Sequence, residues 1–159
     1  MNQFFLALIL SFTPVLELRA GLPLALDYAL RNNIPIFLIF LPVVLVNISS
    51  IFFFLFFLDF LHSSFMRISF YRKIFNYYLI NTREKIKNFE KKFAVYGFLA
   101  LALFTAVPLP ATGAWTATFI AWFLGLERKK SILSISAGVL IAGIIVLIAS
   151  LGIFKLLSI

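Results

Sequence analysis

The stretch that most constrains the fold is an apolar segment broken by two prolines. It runs from Phe104 to Gly125 and contains Pro108-Leu109-Pro110, followed by Ala111-Thr112-Gly113. Proline lacks a backbone N–H and clashes with the preceding helical turn, so a helix stops here, and Gly113 allows the chain to reverse. Inside a bilayer such a break is tolerated only where protein or a wet cavity covers it. The segment predicts either a helix–turn–helix hairpin whose tip lies in the membrane or one spanning helix kinked at proline.

Composition indicates that this chain is embedded in a membrane. Of 159 residues, 63% are hydrophobic, 18% aromatic and 13% charged, and the mean hydropathy is +1.08. A soluble domain of this size needs more polar surface. The net charge is +8, and the basic residues are clustered. In a membrane protein, such clusters indicate the orientation of the chain and contact with anionic lipid rather than binding to nucleic acid. We predict an all-α, multi-pass protein of the cell membrane with anionic lipid partners and no nucleic-acid partner.

A second broken segment opens the chain. Residues 2–31 run from an apolar stretch into Pro14, then into a polar tip from Val15 to Pro23, and back into an apolar stretch that ends at Arg31. We expect a second hairpin here, with its returning helix starting after Gly21. The first residues lack the basic region and cleavage site of a signal peptide, so we expect them to be retained.

Two long apolar runs and a basic linker complete the chain. Residues 35–60 and 131–157 each exceed the ~20 residues that a spanning helix needs. Residues 61–92 carry aromatic residues at spacings near three and four with basic residues between them, typical of an amphipathic segment in the headgroup plane. The predicted fold is a single membrane domain, 1–159, built as an inverted repeat of re-entrant hairpin plus transmembrane helix. Repeat one is 1–60 (hairpin 2–31, span 35–60), and repeat two is 93–159 (hairpin 93–125, span 131–157).

The distribution of basic residues favours re-entrant hairpins over four ordinary spans. With re-entrant hairpins, the eight Lys and Arg residues of 61–92 and the three of 128–130 share one side, and only Arg31 and Lys155 lie opposite. With four spans, residues 128–130 fall opposite the other eight, which the positive-inside rule disfavours. The re-entrant arrangement places both termini outside and the basic linker in the cytoplasm.

The two broken segments carry two motifs. The first is Pro14-x-x-Glu17-Leu18-Arg19-x-x-Leu22-Pro23; the second is Tyr96-Gly97 followed by Pro108-Leu109-Pro110-x-Thr112-Gly113-Ala114-Trp115. Together they resemble the motifs of the small multidrug export protein family, which is similar in outline to the DedA (SNARE-associated) membrane proteins. The resemblance covers nearly the whole chain. It implies two re-entrant hairpins that face each other in the bilayer. The family name implies drug export, whereas the DedA-like relatives imply flipping or scrambling of lipids.

Glu17 and Arg19 are the most conspicuous candidate site residues, because each charge costs about 2.5–3.5 kcal/mol or more at the bilayer centre. One interpretation is a structural ion pair that pins the tip. The other gives Arg19 a substrate phosphate and Glu17 a proton or counter-charge role. Helix starts after Gly21 and Gly113 would present free amides to an anion. The candidate substrate-binding residues are Glu17, Arg19, Gly21, Thr105, Pro108, Pro110, Thr112, Gly113 and Trp115.

Three functions remain open at this point. The favoured one is a secondary transporter or flippase for an anionic amphiphile such as a lipid phosphate; the alternatives are a proton-coupled exporter of small cationic drugs and a non-transporting membrane scaffold. The sequence has no nucleotide-binding loop, nucleophile motif or metal-ligand spacing, so we expect no enzyme activity, cofactor or metal. Two spans and two half-depth hairpins shield the broken backbone only thinly, so we expect a homodimer or a larger assembly. Small residues four apart, Ser134, Gly138 and Ala142, allow close helix approach within the chain or between chains.

Overall fold

The computed structural model describes residues 2–67, 72–73, 96–109 and 112–156, and this part of the chain contains helices and no β-strand. The all-α prediction is confirmed for these residues. The helices are α1 (Gln3–Phe12), α2 (Glu17–Arg31), α3 (Ile36–Phe65), α4 (Tyr96–Ala106), α5 (Ala114–Phe123) and α6 (Arg128–Leu156).

The first hairpin turns earlier than the sequence predicted. Helix α1 starts at an Asn2 cap, whose side chain accepts the N–H of Phe4, and ends just before Pro14, which disfavours helix in the residue that precedes it. Helix α2 already begins at Glu17, so the expected start after Gly21 is wrong. Pro23 lies within α2, where it removes one backbone hydrogen bond without ending the helix.

Gly21 has a packing role inside α2 and does not belong to the tip. A Cβ at this position would lie 2.7 Å from the Ala7 carbonyl oxygen and would overlap the Ser11 hydroxyl, both on α1. The Ser11 hydroxyl in turn donates to the Ala7 carbonyl at 2.7 Å, within a fully buried contact. The missing side chain therefore lets the two arms of the hairpin touch along their backbones.

Two helices are long and apolar enough to cross a bilayer, α3 with 30 residues and α6 with 29. At 1.5 Å per residue each is about 45 Å long, compared with about 30 Å of hydrocarbon. Helix α3 continues five residues past the predicted end at 60, into the segment assigned to the linker, because no Gly or Pro interrupts residues 61–65. Helices α1 and α5, with 10 residues each, and α2, with 15, are too short to cross alone.

Two of the short helices, α2 and α5, pack against both long helices, α3 and α6. Helix α1 packs on α2 and α3. The core consists of small and branched side chains, whereas large apolar side chains point outward: Phe37 is 69% exposed and Phe56 72% exposed. So much exposed apolar surface suits lipid and not water.

The small-residue stripe of α6 is used within the chain at its central position. A Cβ on Gly138 would lie 2.5 Å from the Ala102 carbonyl oxygen and 2.6 Å from the Thr105 Cβ, both on α4. The glycine thus brings α4 and α6 into backbone contact. The homodimer remains a prediction, as do the inverted-repeat symmetry and the domain boundaries. The amphipathic character predicted for 61–92 concerns mainly residues outside the described ones.

Candidate functional site

The two breaks in the helices meet in the middle of the protein. We call residues 13–19 the first tip and residues 107–115 the second tip; residues 110 and 111 of the second lie outside the described part. Glu17 of the first tip is only 6% exposed, and its carboxylate oxygen Oε1 accepts the Trp115 backbone N–H at 3.2 Å. The Ala114 N–H also faces this carboxylate. Glu17 therefore caps the start of α5 from the other half of the chain.

Gly113 makes this cap possible by having no side chain. A Cβ there would overlap the Glu17 carboxylate oxygen Oε2 and lie 2.5 Å from the carboxyl carbon. The backbone of Gly113 is extended, with φ −174°, so any residue could adopt its conformation. The glycine is thus required by space and not by backbone geometry.

The backbone at Glu17 is strained. Its φ is +47°, in the left-handed region that residues other than glycine rarely occupy. Such a conformation costs on the order of 1–2 kcal/mol. The strain sits at the residue whose carboxylate crosses between the tips, and strained residues of this kind cluster at functional sites.

Arg19 also reaches across to the second tip. Its Nη2 donates to the Thr112 carbonyl oxygen and, at 3.2 Å, to the Thr112 hydroxyl. That hydroxyl donates to the Val107 carbonyl at 2.6 Å, which holds the backbone of the second tip in its turn. Arg19 therefore binds a loop that is itself internally bonded.

Glu17 and Arg19 bind the opposite tip and do not bind each other. The ion pairs within 4 Å among the described residues are Arg31–Asp27, Arg128–Asp59 and Lys130–Glu127, and a Glu17–Arg19 pair is not among them. Glu17 has a left-handed backbone at the first residue of α2, and Arg19 lies two residues further along that helix. The ion pair considered from sequence is thus not formed within 4 Å, and each side chain instead makes its own bond to the opposite tip.

The end of α1 is satisfied by side chains from three different places. The Leu10 carbonyl accepts the Thr13 hydroxyl at 2.7 Å, and the Ser11 carbonyl accepts the Asn47 side-chain amide from α3 at 2.8 Å. The Phe12 carbonyl accepts the Trp115 indole N–H at 3.1 Å. Helix ends leave their last carbonyls without intrahelical partners, so these bonds compensate for the break in the apolar interior.

A small cavity lies between the tips. Its volume is about 10 Å³, close to what one water molecule requires. Glu17, Arg19, Thr105 and Pro108, all predicted from sequence, line it together with Asn47. Asn47 lies within the predicted span 35–60, and its role at the tip could not be inferred from sequence, because only the folded chain brings α3 to that point. A polar residue in an apolar span was the available signal.

Trp115 is the centre of an aromatic cluster beside the tips. Its ring lies 4.6 Å from that of Phe54, 6.1 Å from Phe12 and 6.3 Å from Phe53, measured between centroids. These distances are in the range of favourable aromatic pairs. Trp115 thus ties α1, α3 and α5 together through both its ring and its indole N–H.

One of the predicted site residues lies apart from the tips, and another cannot be placed. Gly21 lies against α1, as described above, and Pro110 lies outside the described residues. The structure brings the remaining seven together around the tips, and whether they bind substrate remains a prediction. Among the described residues, no group of three His, Asp or Glu side chains is placed to hold a metal ion.

Polar clusters lie at both ends of the bundle, away from the tips. Asp59 of α3 accepts the Trp122 indole N–H at 3.0 Å and pairs with Arg128 at 2.9 Å, which joins α3, α5 and α6. At the other end, hydrogen bonds from Gln3 and Arg31 hold the pKa of the Asp27 carboxyl below its usual range. Asp27 and Arg31, four residues apart on α2, form an ion pair at 2.9 Å.

Comparison with known families identifies the group to which the chain belongs. Residues 17–145 match the family model described as "Putative small multi-drug export protein", which covers most of the chain. The chain therefore belongs to this family, the resemblance inferred from the two motifs is confirmed, and the protein is a membrane protein of a transporter family. No curated protein and no solved structure matches the chain. The outline similarity to DedA proteins remains a prediction.

Proposed function

We propose that this member of the small multi-drug export family is a secondary transporter that moves an anionic amphiphile, such as a lipid phosphate, through a site between the two tips. One observation carries the proposal: the start of α5 already holds an anion, the carboxylate of Glu17. Backbone amides at a helix start, with the positive end of the helix dipole behind them, favour negative charge. A substrate phosphate would use the same amides.

For a substrate phosphate to replace the Glu17 carboxylate, two hydrogen bonds between the tips must open. The substrate phosphate displaces the Glu17 carboxylate from the Trp115 amide, and Arg19 turns from the Thr112 carbonyl to the phosphate. A guanidinium binds phosphate with two parallel hydrogen bonds, which a neutral carbonyl cannot match. Because the present cavity holds about one water molecule, we assign this arrangement to a closed state in which the chain's own carboxylate fills the anion position.

Re-entrant hairpins would bring this site to mid-membrane depth. The support is the shortness of α1, α2 and α5 and the side-chain caps on the end of α1, which a break surrounded by lipid requires. The clustered basic residues favour the same topology, with the termini outside and the linker in the cytoplasm. An inverted pair of broken helices that meets near the midplane is the usual setting of a transporter site.

A second function is favoured by the aromatic cluster next to Glu17. The rings of Phe12 and Phe54 pack on Trp115, whose backbone N–H binds the Glu17 carboxylate, and aromatic faces together with a carboxylate suit a lipophilic cation. This is the proton-coupled export of cationic drugs considered from the sequence, and the family description agrees with it only in naming multi-drug export. Arg19 opposes it, since its positive charge stays near the site unless the two tips separate.

Replacing Glu17 by glutamine separates the two functions by the sign of the effect. Glutamine has the same shape but no charge, so it competes less well than glutamate for the amides of α5. If the substrate is anionic, Glu17→Gln should raise its apparent affinity about tenfold, the equivalent of roughly 1.4 kcal/mol. If the substrate is a lipophilic cation, the same variant should lose transport.

The assay compares a fluorescent lipid phosphate with a lipophilic phosphonium cation in proteoliposomes. Glu127→Gln is the matched control, because Glu127 is an exposed carboxylate that pairs with Lys130 far from the tips. Arg19→Lys keeps the charge and loses the planar fork, so it should fold and lose lipid-phosphate transport. A wild-type protein that moves neither probe would refute both transport proposals, and the non-transporting membrane scaffold would be the remaining function.

A further inference from the structure

One polar atom in the tip region is left without a partner. Asn47 is 1% exposed, and its amide nitrogen Nδ2 is used to cap the Ser11 carbonyl at 2.8 Å. Among the residues that the structure describes, its other polar atom, the carbonyl oxygen Oδ1, has no hydrogen-bond partner. A buried acceptor without a donor costs about 1–3 kcal/mol, so such atoms are rare in native proteins.

The cavity between the tips lies against this residue. It has a volume of about 10 Å³, and its polar lining comes from three elements: Glu17 and Arg19 of α2, Asn47 of α3 and Thr105 of α4. The Thr105 hydroxyl donates its hydrogen bond to the Leu101 carbonyl at 2.9 Å, so it can only accept a further hydrogen bond. Asn47 and Thr105 therefore both offer acceptors to whatever occupies the cavity.

The charge of the lining decides between possible occupants. Glu17 and Arg19 carry opposite charges that cancel within the site, and an added cation would leave a net positive charge in an apolar interior. In this closed arrangement the cavity, at about 10 Å³, is too small for an amphiphile or a drug. The occupant must therefore donate hydrogen bonds, carry no charge and be no larger than a water molecule. Water meets these three conditions, and a buried water typically makes two to four hydrogen bonds.

We propose that this cavity is a binding site for one water molecule, which donates to Asn47 Oδ1 and bridges to Glu17 or Thr105. The site does not depend on what the protein transports. A bound water next to Glu17 gives the carboxylate a partner outside α5, which it needs whenever its bond to the Trp115 amide opens. Asn47 is thereby a positioning residue, with its nitrogen on the end of α1 and its oxygen on the water.

Radiolytic hydroxyl-radical labelling in lipid nanodiscs tests the site directly. X-ray exposure turns a bound water into hydroxyl radicals that oxidise the side chains around it. We expect oxidation of the buried cavity residues Leu18 and Val139, but not of the equally buried Val43, which does not line the cavity. Absence of oxidation at Leu18 and Val139 would mean a dry cavity and would overturn the proposal.

A filling variant checks that the signal comes from the cavity. Ala142 lines it, so Ala142→Val should displace the water, abolish the labelling and lower Tm by a few degrees, because Asn47 Oδ1 then loses its donor. Ala137→Val is the matched control on an exposed position of the same helix and should keep the labelling. A raised Tm in Ala142→Val, or labelling equal to wild type, would contradict a bound water.

The same samples separate water from a metal cation. Labelling and Tm should be equal in sodium, potassium and choline chloride, since a water site needs no particular ion. If Tm rises only with sodium or potassium, the occupant is a cation and the proposal is wrong.

Discussion

Gly113→Ala is the sharpest test of the contact between the tips. The added methyl group overlaps the Glu17 carboxylate, whereas the extended backbone at this position accepts alanine without strain. The flexible glutamate side chain can swing aside, but it then gives up the Trp115 amide and the neighbouring Ala114 amide. The substitution therefore breaks the cap without any other predicted change.

The expected loss follows from the bonds that are broken. A hydrogen bond to a charged group contributes about 1.5–3 kcal/mol, and the displaced carboxylate recovers part of this from other donors. We expect Gly113→Ala to destabilise the protein by about 2–4 kcal/mol, or roughly 5–15 °C in Tm for a chain of this length. Intrinsic tryptophan fluorescence during heating in nanodiscs reports the transition, since Trp115 itself lies at the contact.

A double-mutant cycle isolates the contact. In a Glu17→Ala background the methyl group of Gly113→Ala meets no carboxylate, so it should cost almost nothing, and the coupling energy should approach the full single-mutant loss. Gly152→Ala serves as the control, because a Cβ there meets nothing within 4 Å and alanine is the better helix former. An equal cost with and without Glu17 would refute the reasoning.

Three further predictions concern the rest of the bundle. At neutral pH the wild type should be more stable than Asp27→Asn, because the folded-state pKa of Asp27 is lowered; that advantage should disappear as pH falls below the usual value of 3.8, measured as Tm against pH. Gly138→Leu should destabilise the fold, because even a Cβ at this position would lie 2.5 Å from a backbone carbonyl oxygen of α4, and leucine is larger still. An unchanged Tm would contradict the α4–α6 contact. Single cysteines at Asn33, Asn88 and Lys129 test the topology: an impermeant thiol reagent added outside should label only position 33, and labelling of position 129 from outside would exclude the re-entrant arrangement.

The sequence by itself determined the class of protein and the order of its elements. Composition indicated a membrane protein, length marked the two long helices, and Pro14 and Pro108 marked the two breaks. These features are local, because a proline or an apolar run acts on its own neighbourhood whatever the rest of the chain does. For the same reason the helix ends were misplaced: α2 starts before Gly21, and α3 runs on to Phe65.

Only the tertiary structure decided which groups meet. Glu17 and Arg19 are near neighbours in the sequence, yet each binds the second tip, at Trp115 and Thr112, more than ninety residues away. No local pattern encodes that pairing, since it depends on how α2 and α5 dock against the long helices. Asn47 illustrates the same limit: its presence in an apolar span was visible, but the break that it caps and the cavity that it lines exist only once the chain has folded.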